Sequence, residues 1–450
     1  MTMNPARFPA LILMLVLLLP APVCAASAPA AGKDSPDRPL TVTDAVRYAL
    51  DHNRLFKAAG QDVLASGEKV KEARADFFPK LDTRYEFKHF QEQPYAALGG
   101  VHAFTAPTDS HRWQVEVTQP LFTGFALESQ FKIAKADLRI SKFKLDEVRL
   151  DLIRDVRHAF WQTLLAEKLH EVARDNAESL EVHRKNAQSN YQQGLVAQND
   201  VLKAEVALAQ ARQQERTTAK QATLLRARFN QLLDRDIEAP AQLVEVEENP
   251  PETAGLEELC TLAEKSRPEY LSLETAIRQA GDARTAARSR YWPRVSGFAQ
   301  YWREGEDAAA DNNPYTNNQD SVVGVRMDWN LFEGGKTRAA EKEWAYRRKG
   351  LEERLANLKE QIRLEVDDAL EQVKLARANV DTAGTALKQA EENERMTGLQ
   401  YREQLVIFLE VLNAQVFVAQ TRADYYQALY GLRTAKADLD RATGFSEIMP

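Results

Sequence analysis

The chain has 450 residues, 59 basic and 66 acidic side chains, a net charge of −7 and two cysteines. An apolar content of 44% excludes a disordered chain, and a mean hydropathy of −0.48 excludes a polytopic helical membrane protein. There is no basic excess to bind nucleic acid, and two cysteines make neither a disulfide framework nor a four-thiolate zinc site.

Residues 1–25 read as a secretory signal peptide. Arg7 precedes the apolar run Leu11–Leu19, then Pro20 and small residues. The run is shorter than the roughly 20 residues that span a bilayer. Val23-Cys24-Ala25 places cleavage near Ala25 or Ala26. Lipidation of Cys24 is disfavoured, because Ala21-Pro22-Val23 lacks a small residue just before the cysteine. Residues 26–40 form an N-terminal linker, and Cys260 is expected in a helical core.

The rest of the chain is written twice. Phe77-Phe78-Pro79-Lys80-Leu81 matches Tyr291-Trp292-Pro293-Arg294-Val295, 214 residues on. Leu121-Phe122-Thr123-Gly124 matches Leu331-Phe332-Glu333-Gly334 at an offset of 210, as Asp200-Val201-Leu202 matches Glu410-Val411-Leu412. Two tandem repeats follow, residues 41–239 and 256–445. An acidic linker, 240–255, joins them, with Glu245, Glu247, Glu248, Pro250 and Pro251.

Each repeat should open with a helix, 42–77 or 256–291. In the strand pairs, about 79–123 and 293–333, the period is two. Leu81, Thr83, Tyr85 and Phe87 alternate with Asp82, Arg84, Glu86 and Lys88. Residues 113–118 and 323–331 alternate likewise, while Phe298 and Trp302 interrupt the polar face of 294–302. Segments of about 10 residues with this pattern fit transmembrane strands. The loops between them, 91–110 and 305–320, are long and rich in Gly, Pro, Asn and Asp. Pro79 and Pro293 mark the change from helix to strand, so Phe78 and Trp292 should end their helices. Gly124 and Gly334-Gly335 mark the return to helix, where unusual backbone angles are needed.

Long helical hairpins follow, 126–235 and 336–443. Residues 126–193 hold no Gly or Pro, and Leu145, Val148, Leu152, Val156, Phe160 and Leu164 recur at three and four. At about 1.5 Å per residue that helix is roughly 100 Å long, which suits a coiled coil. Gly194 interrupts it, and Asn199 or Asp200 can cap the restart. By length, 198–235 should stack end to end on 256–291, and 406–443 on 42–77.

Four strands cannot close a barrel, and lipid does not tolerate open edges. A dimer supplies 8 strands, a trimer 12 and a tetramer 16. An 8-stranded interior fills with side chains, so a pore favours three or more chains.

These features together resemble the TolC family of outer-membrane efflux proteins over about residues 40–445. The motifs that carry the resemblance are the paired Phe-Phe-Pro-Lys-Leu and Tyr-Trp-Pro-Arg-Val segments and the paired Leu-Phe-x-Gly segments. The third pair is Tyr191…Gly194…Asp200-Val-Leu and Tyr401…Glu410-Val-Leu-Asn-Ala. The resemblance implies an α+β fold: four strands per chain join a 12-stranded transmembrane β-barrel in a homotrimer, continued by a long coiled-coil helical tunnel in the periplasm. It implies a passive exit duct in the outer membrane, with outer-membrane lipid around it. A periplasmic adaptor (membrane fusion) protein and a proton-driven or ABC inner-membrane transporter complete the assembly. The hairpin turns at 191–199 and 401–409 are then the periplasmic mouth. Gly194, Leu195 and Val196 resemble the adaptor-docking tip, whereas Gln404 and Leu405 at the second tip lack the glycine. Glu410 and Asn413 share a helix face at the entrance, and Asp200 holds the matching place. A ring of three Glu410 carboxylates would favour cations. Read without the family, Asp200 is a helix cap and Glu410 a solvated charge.

Catalysis has no support. The histidines (His52, His89, His102, His111, His158, His170, His183) lack metal spacing, and Asp367-Asp368 and Glu391-Glu392 read as solvated faces. No phosphate loop or nucleophile elbow occurs, and no metal, cofactor or nucleic acid is expected. A periplasmic coiled-coil adaptor or spacer with a soluble β-domain is the alternative, although an adaptor has a single helical hairpin and no duplicated strand pairs.

Overall fold

The computed structural model describes residues 39–194, 196–245, 255–403 and 405–445. The expected signal peptide, Cys24, Leu195, Gln404 and linker residues 246–254 lie outside the described residues.

The first half opens with two short helices, α1 (Val42–His52) and α2 (Arg54–Ala75). Thr41 caps α1 by accepting from the Asp44 amide at 3.1 Å. Asn53 caps α2 by accepting from the Leu55 and Phe56 amides. The strands β1 (Lys80–His89), β2 (Tyr95–Leu98), β3 (Val101–Phe104) and β4 (Asp109–Phe122) follow. The 67-residue α3 (Ala126–Gln192) then returns through α4 (Gln198–Leu232). In the second half, α5 (Leu256–Ser266), α6 (Pro268–Arg288), β5 (Arg294–Gly305), β6 (Gln319–Asp328), α7 (Lys336–Arg402) and α8 (Phe408–Thr443) occur in the corresponding order.

Contacts fix the helix order. Going up α3, Phe131 meets Phe77, Arg149 lies over Phe56 of α2, Glu167 pairs with Arg226 and Glu181 with Arg212 of α4. On its other flank α3 meets α6 through Asp137–Gln279, and α8 through Arg157–Asp440 at 2.5 Å and His158–Asp438 at 2.9 Å. Helix α7 lies beyond, held by Glu341–Arg284 of α6 and Glu391–Arg422 of α8. The order is therefore α2 with α4, then α3, then α6 with α8, then α7.

The end-to-end partners differ from the expected ones. Asn53, the cap of α2, donates to the Leu232 carbonyl at the end of α4 at 3.0 Å, and Arg54 pairs with Asp234 at 2.8 Å. Buried Arg267, the cap of α6, donates to the Ala442 carbonyl of α8. Helix α4 thus stacks on α2, and α8 on α6, each within its own half. The reason is the chain after α4. It doubles back along the start of α1, with Leu40 N donating to Gln242 O at 2.8 Å and Val244 N to Leu40 O at 3.0 Å. This holds the end of α4 beside Asn53.

Three clusters hold the helices. The largest joins Val46 and Ala49 of α1 to Val156, Phe160 and Trp161 of α3, Phe229 of α4 and Tyr430 of α8. A second packs Cys260 of α5 among Ile362, Val366 and Leu370 of α7 and Leu439 of α8. A third lies near the hairpin turns.

The sheet has the order β1-β4-β5-β6, antiparallel throughout, with the two halves joined at β4–β5. Strand β6 runs from Gln319 to Asp328 rather than over 323–331, because pairing with Arg294–Arg303 of β5 sets its limits. Trp329 turns away and donates its indole N–H to the Tyr291 carbonyl at 3.2 Å. Strand β4 is longer than 113–118, and the expected loop 91–110 contains the β2–β3 hairpin. The helices before the strands end at Ala75 and Arg288, three and four residues before Phe78 and Trp292. Phe77, Phe78 and Trp292 donate to carbonyls three residues back, so the chain tightens into a turn before each proline.

Candidate channel entrance and wall

Asp200 and Asn199 do not cap α4. The cap position is Ala197, extended at φ −75° and ψ 151°, and the Asp200 amide donates to its carbonyl at 3.0 Å. Asp200 therefore lies in the first turn, where its carboxylate complements the helix dipole, and Lys203 is 3.9 Å away. Gly194 is exposed with φ +76°, which lets the turn between α3 and α4 reverse. Val196 is half-buried. In the second turn Leu405 is 74% exposed and Ile407 is 65% exposed.

Glu410 and Asn413 are both exposed on α8, with Val416 and Phe417 on the same side. The opposite side carries Phe408, Val411, Leu412, Ala414 and Gln415, all buried. Phe408 and Leu412 pack with Leu180 of α3 and Val201, Ala204 and Leu208 of α4. The two hairpins thus share one apolar cluster next to their turns, and Glu410 is turned away from it. Gln415 donates to Ser179 Oγ at 2.8 Å and to His183 Nε2 at 2.6 Å. His183 accepts only when neutral, and burial lowers its pKa, which favours that form. Phe408 and this polar pair went unmarked at the sequence level. The Phe408 ring lies beside those of Tyr401 and His183.

At the other end, the sheet pairing sorts side chains onto two faces. Leu81, Thr83, Tyr85 and Phe87 line up with Val117, Val115, Trp113 and His111, then Ala299, Tyr301, Arg303 and Gly305. Val323, Val325 and Met327 complete that face. Val323 is 84% exposed and Val325 is 68% exposed. The other face carries Asp82, Arg84, Glu86, Lys88, Arg112, Gln114, Glu116, Gln300, Glu304, Asp320 and Arg326. Phe298 and Trp302 lie on this polar face under cations: Arg326 is 4.9 Å from the Phe298 ring and Arg112 is 5.0 Å from Trp302. Strands β1 and β6 each keep one edge unpaired among the described residues.

Glycines join the sheet to the helices. Gly124, Gly334 and Gly335 have φ of +64°, +58° and +83°. A Cβ on Gly124 would sit 2.6 Å from the Ser289 carbonyl oxygen and 2.7 Å from Trp292 Cβ, so this corner requires glycine twice over. Pro79 and Pro293 directly precede β1 and β5.

The family model for outer membrane efflux proteins matches residues 45–234 and 259–445. The chain belongs to this family. Solved structures with the same fold include a membrane protein from Pseudomonas aeruginosa, with a TM-score of 0.78 and 19% identity over 90% of each chain. The CmeC outer membrane channel of Campylobacter jejuni aligns with a TM-score of 0.77 and 14% identity, covering 91% of this chain and 87% of its own. The outer membrane protein VceC of Vibrio cholerae aligns with a TM-score of 0.77 and 14% identity, covering 90% and 96%. At these identities the likeness is one of fold. No match is found among curated proteins.

The family membership agrees with the mixed helix and strand architecture and with an outer-membrane efflux component. No described helix is long and apolar enough to cross a membrane.

Proposed function

We propose that three copies of this chain form a passive exit channel through the outer membrane, continued by a helical tunnel in the periplasm. The two-faced sheet with two unpaired edges carries this reading. A face of valines, leucine, tyrosine and methionine suits lipid, and the charged face suits a water-filled lumen. Four strands leave edges that hydrocarbon does not tolerate, and three chains supply a 12-stranded wall. The helices repeat the logic: α7 lies at one margin of the slab and α2 with α4 at the other, so neighbouring copies can join margin to margin. The arms 41–239 and 256–445 each contribute two long strands and one long hairpin.

Cargo moves passively, and no catalytic group or cofactor is needed. The turns at 191–199 and 401–409 form the periplasmic mouth. Gly194, Leu195, Val196, Gln404 and Leu405 receive a periplasmic adaptor, which links the channel to an inner-membrane transporter. Glu410, with Asn413 beside it and Asp200 on the neighbouring hairpin, gives the entrance its charge.

Native mass spectrometry of the detergent-extracted protein, with conductance in planar bilayers, tests the core of this reading. Three chains per particle and an open pore are expected. A monomer, or release from membranes by carbonate alone, would overturn it. Replacing Leu195 with Asp tests the docking role: export should fall while trimers persist, and unchanged export would refute it.

A further inference from the structure

The β1–β4 hairpin does not stop at the sheet. Phe90 N donates to Thr108 O at 2.8 Å and Thr105 N to Pro94 O at 2.9 Å. Beyond them Tyr95 opposes Phe104, and Leu98 opposes Val101. Gly99 and Gly100, with φ of +57° and +85°, close the turn with two positive angles, as a tight hairpin of this hand requires. Residues 93–108 contain no Asp, Glu, Lys or Arg, in a chain that is 28% charged. Tyr95, Val101 and Phe104 are nevertheless exposed. Pairing puts Tyr95, Ala97, His102 and Phe104 on one face and Ala96, Val101 and Ala103 on the other, so neither face carries a fixed charge. A lone two-stranded hairpin is marginal in water, and this one exposes an aromatic and apolar surface.

The fastening of its base indicates what covers it. Gln93 Nε2 donates to Tyr315 Oη at 2.8 Å. Tyr315 belongs to the loop 306–318, and that loop folds onto the apolar side of the sheet. Tyr85 Oη donates to the Ala308 carbonyl at 3.0 Å, and Arg303 pairs with Asp311 at 2.7 Å. A Cβ on Gly305 would overlap the Asp311 carbonyl. Tyr85, Arg303 and Gly305 share the face of Leu81, Val117 and Val323. The hairpin is therefore tied to the rim on the side assigned to lipid. Aromatic and small apolar residues without fixed charge are the composition of a membrane–water interface.

We propose that the β2–β3 hairpin is a flap immersed in the outer interface of the membrane, so that lipid meets both of its faces, Tyr95 and Phe104 on one and Val101 on the other. It extends the lipid-facing surface of β1 beyond the sheet, and it rests on the reading of the apolar face as the lipid face. Its polar backbone edges remain at headgroup depth, where water and headgroups can bond them. Three hairpins meeting over the pore would have to lean the other way, against the Gln93–Tyr315 tie.

The test uses the full-length oligomer in phospholipid vesicles. The environment-sensitive fluorophore NBD is attached at Val101→Cys, and in separate proteins at Val323→Cys and Asn317→Cys. Unsubstituted protein is the labelling control, because Cys260 is buried. Nitroxide-bearing lipids should quench the Val101 label and remove most of its emission, while aqueous iodide leaves it bright. The Val323 label should behave likewise and the exposed Asn317 label oppositely. If iodide quenches the Val101 label and lipid nitroxides do not, the flap is a solvated loop and the proposal fails. If neither quencher reaches it and Val101→Cys chains cross-link to one another, the hairpins cover each other and the proposal also fails. A Val323 label that lipid does not quench would instead overturn the channel-wall reading itself.

Discussion

Arg441 of α8 reaches Asp151 of α3 at 2.6 Å and Glu269 of α6 at 2.6 Å. Burial alone would raise the Glu269 pKa, but Arg441 and then Arg267 outweigh it and the carboxyl titrates below its ordinary 4.5. Replacing Arg441 with Met leaves two acids facing each other with less compensation. A loss of about 2 kcal/mol is expected, less than for breaking a fully buried pair because these groups keep some contact with solvent, and denaturant unfolding of the reconstituted protein measures it. His183 makes a second, pH-dependent statement. Its pKa is lowered below 6.5 by burial, so the unfolded side chain takes up a proton before the folded one does. Stability should decline as pH falls through 6.5 toward the lowered folded value. His183→Gln should flatten that slope in melting curves, and an unchanged slope would assign it to other groups. Neither residue was legible in the sequence. Arg441 and Glu269 are 172 positions apart, and hydrophobic periodicity says which face is buried but not which charges meet there.

Elements were more legible than their junctions. Uninterrupted three-and-four spacing marked α3, and strict alternation marked β1. The split of α1 from α2 was signalled only by Asn53, and that of α5 from α6 only by Pro268 at the first helical position. Both splits matter, since their caps are the residues that grip the ends of α4 and α8. Asn53→Ala should cost about 1 kcal/mol for the cap alone, and more because the Leu232 carbonyl loses its donor. The glycines divide more sharply. Gly334 and Gly335 have open space where a Cβ would go, whereas Gly124 faces the Ser289 carbonyl. Alanine at Gly334 should therefore cost only the left-handed backbone term of about 1–2 kcal/mol. Alanine at Gly124 should also push β4 off the turn before β5, and the yield of heat-resistant oligomer compares the two. Equal yields would mean that the Gly124 corner can relax. The β2–β3 hairpin escaped the sequence reading because its strands are four residues long, and a Gly-Gly between short apolar runs is easily taken for loop.

At the scale of the whole molecule, the two faces of one sheet decide whether the chain belongs in a membrane. Alternation in the sequence separated the faces of β1 and β6 correctly. On β5 it already showed Phe298 and Trp302 as interruptions of the polar face, and the structure keeps them there, with Arg326 and Arg112 over their rings. That arrangement makes an aromatic compatible with a wet lumen, and it yields a test in which the two faces answer differently. Arg placed at Val325, near the middle of β6 on the apolar face, meets hydrocarbon if the wall reading holds. Burying it should cost about 2–4 kcal/mol in folding from the membrane-associated state. Arg placed at Gln300, on the opposite face of β5, meets water and other polar groups. It should leave folding nearly unchanged and shift conductance toward anions. Folding yield into vesicles and single-channel recordings on the two variants separate these outcomes. In a soluble sheet Val325 would be covered by protein, and its replacement would unfold the chain in detergent and vesicles alike. In a lipid-facing wall the penalty grows with the depth of the residue and vanishes toward the rims. Arg at Met327, on the same face of β6 but next to its helical end, should then be tolerated better than Arg at Val325.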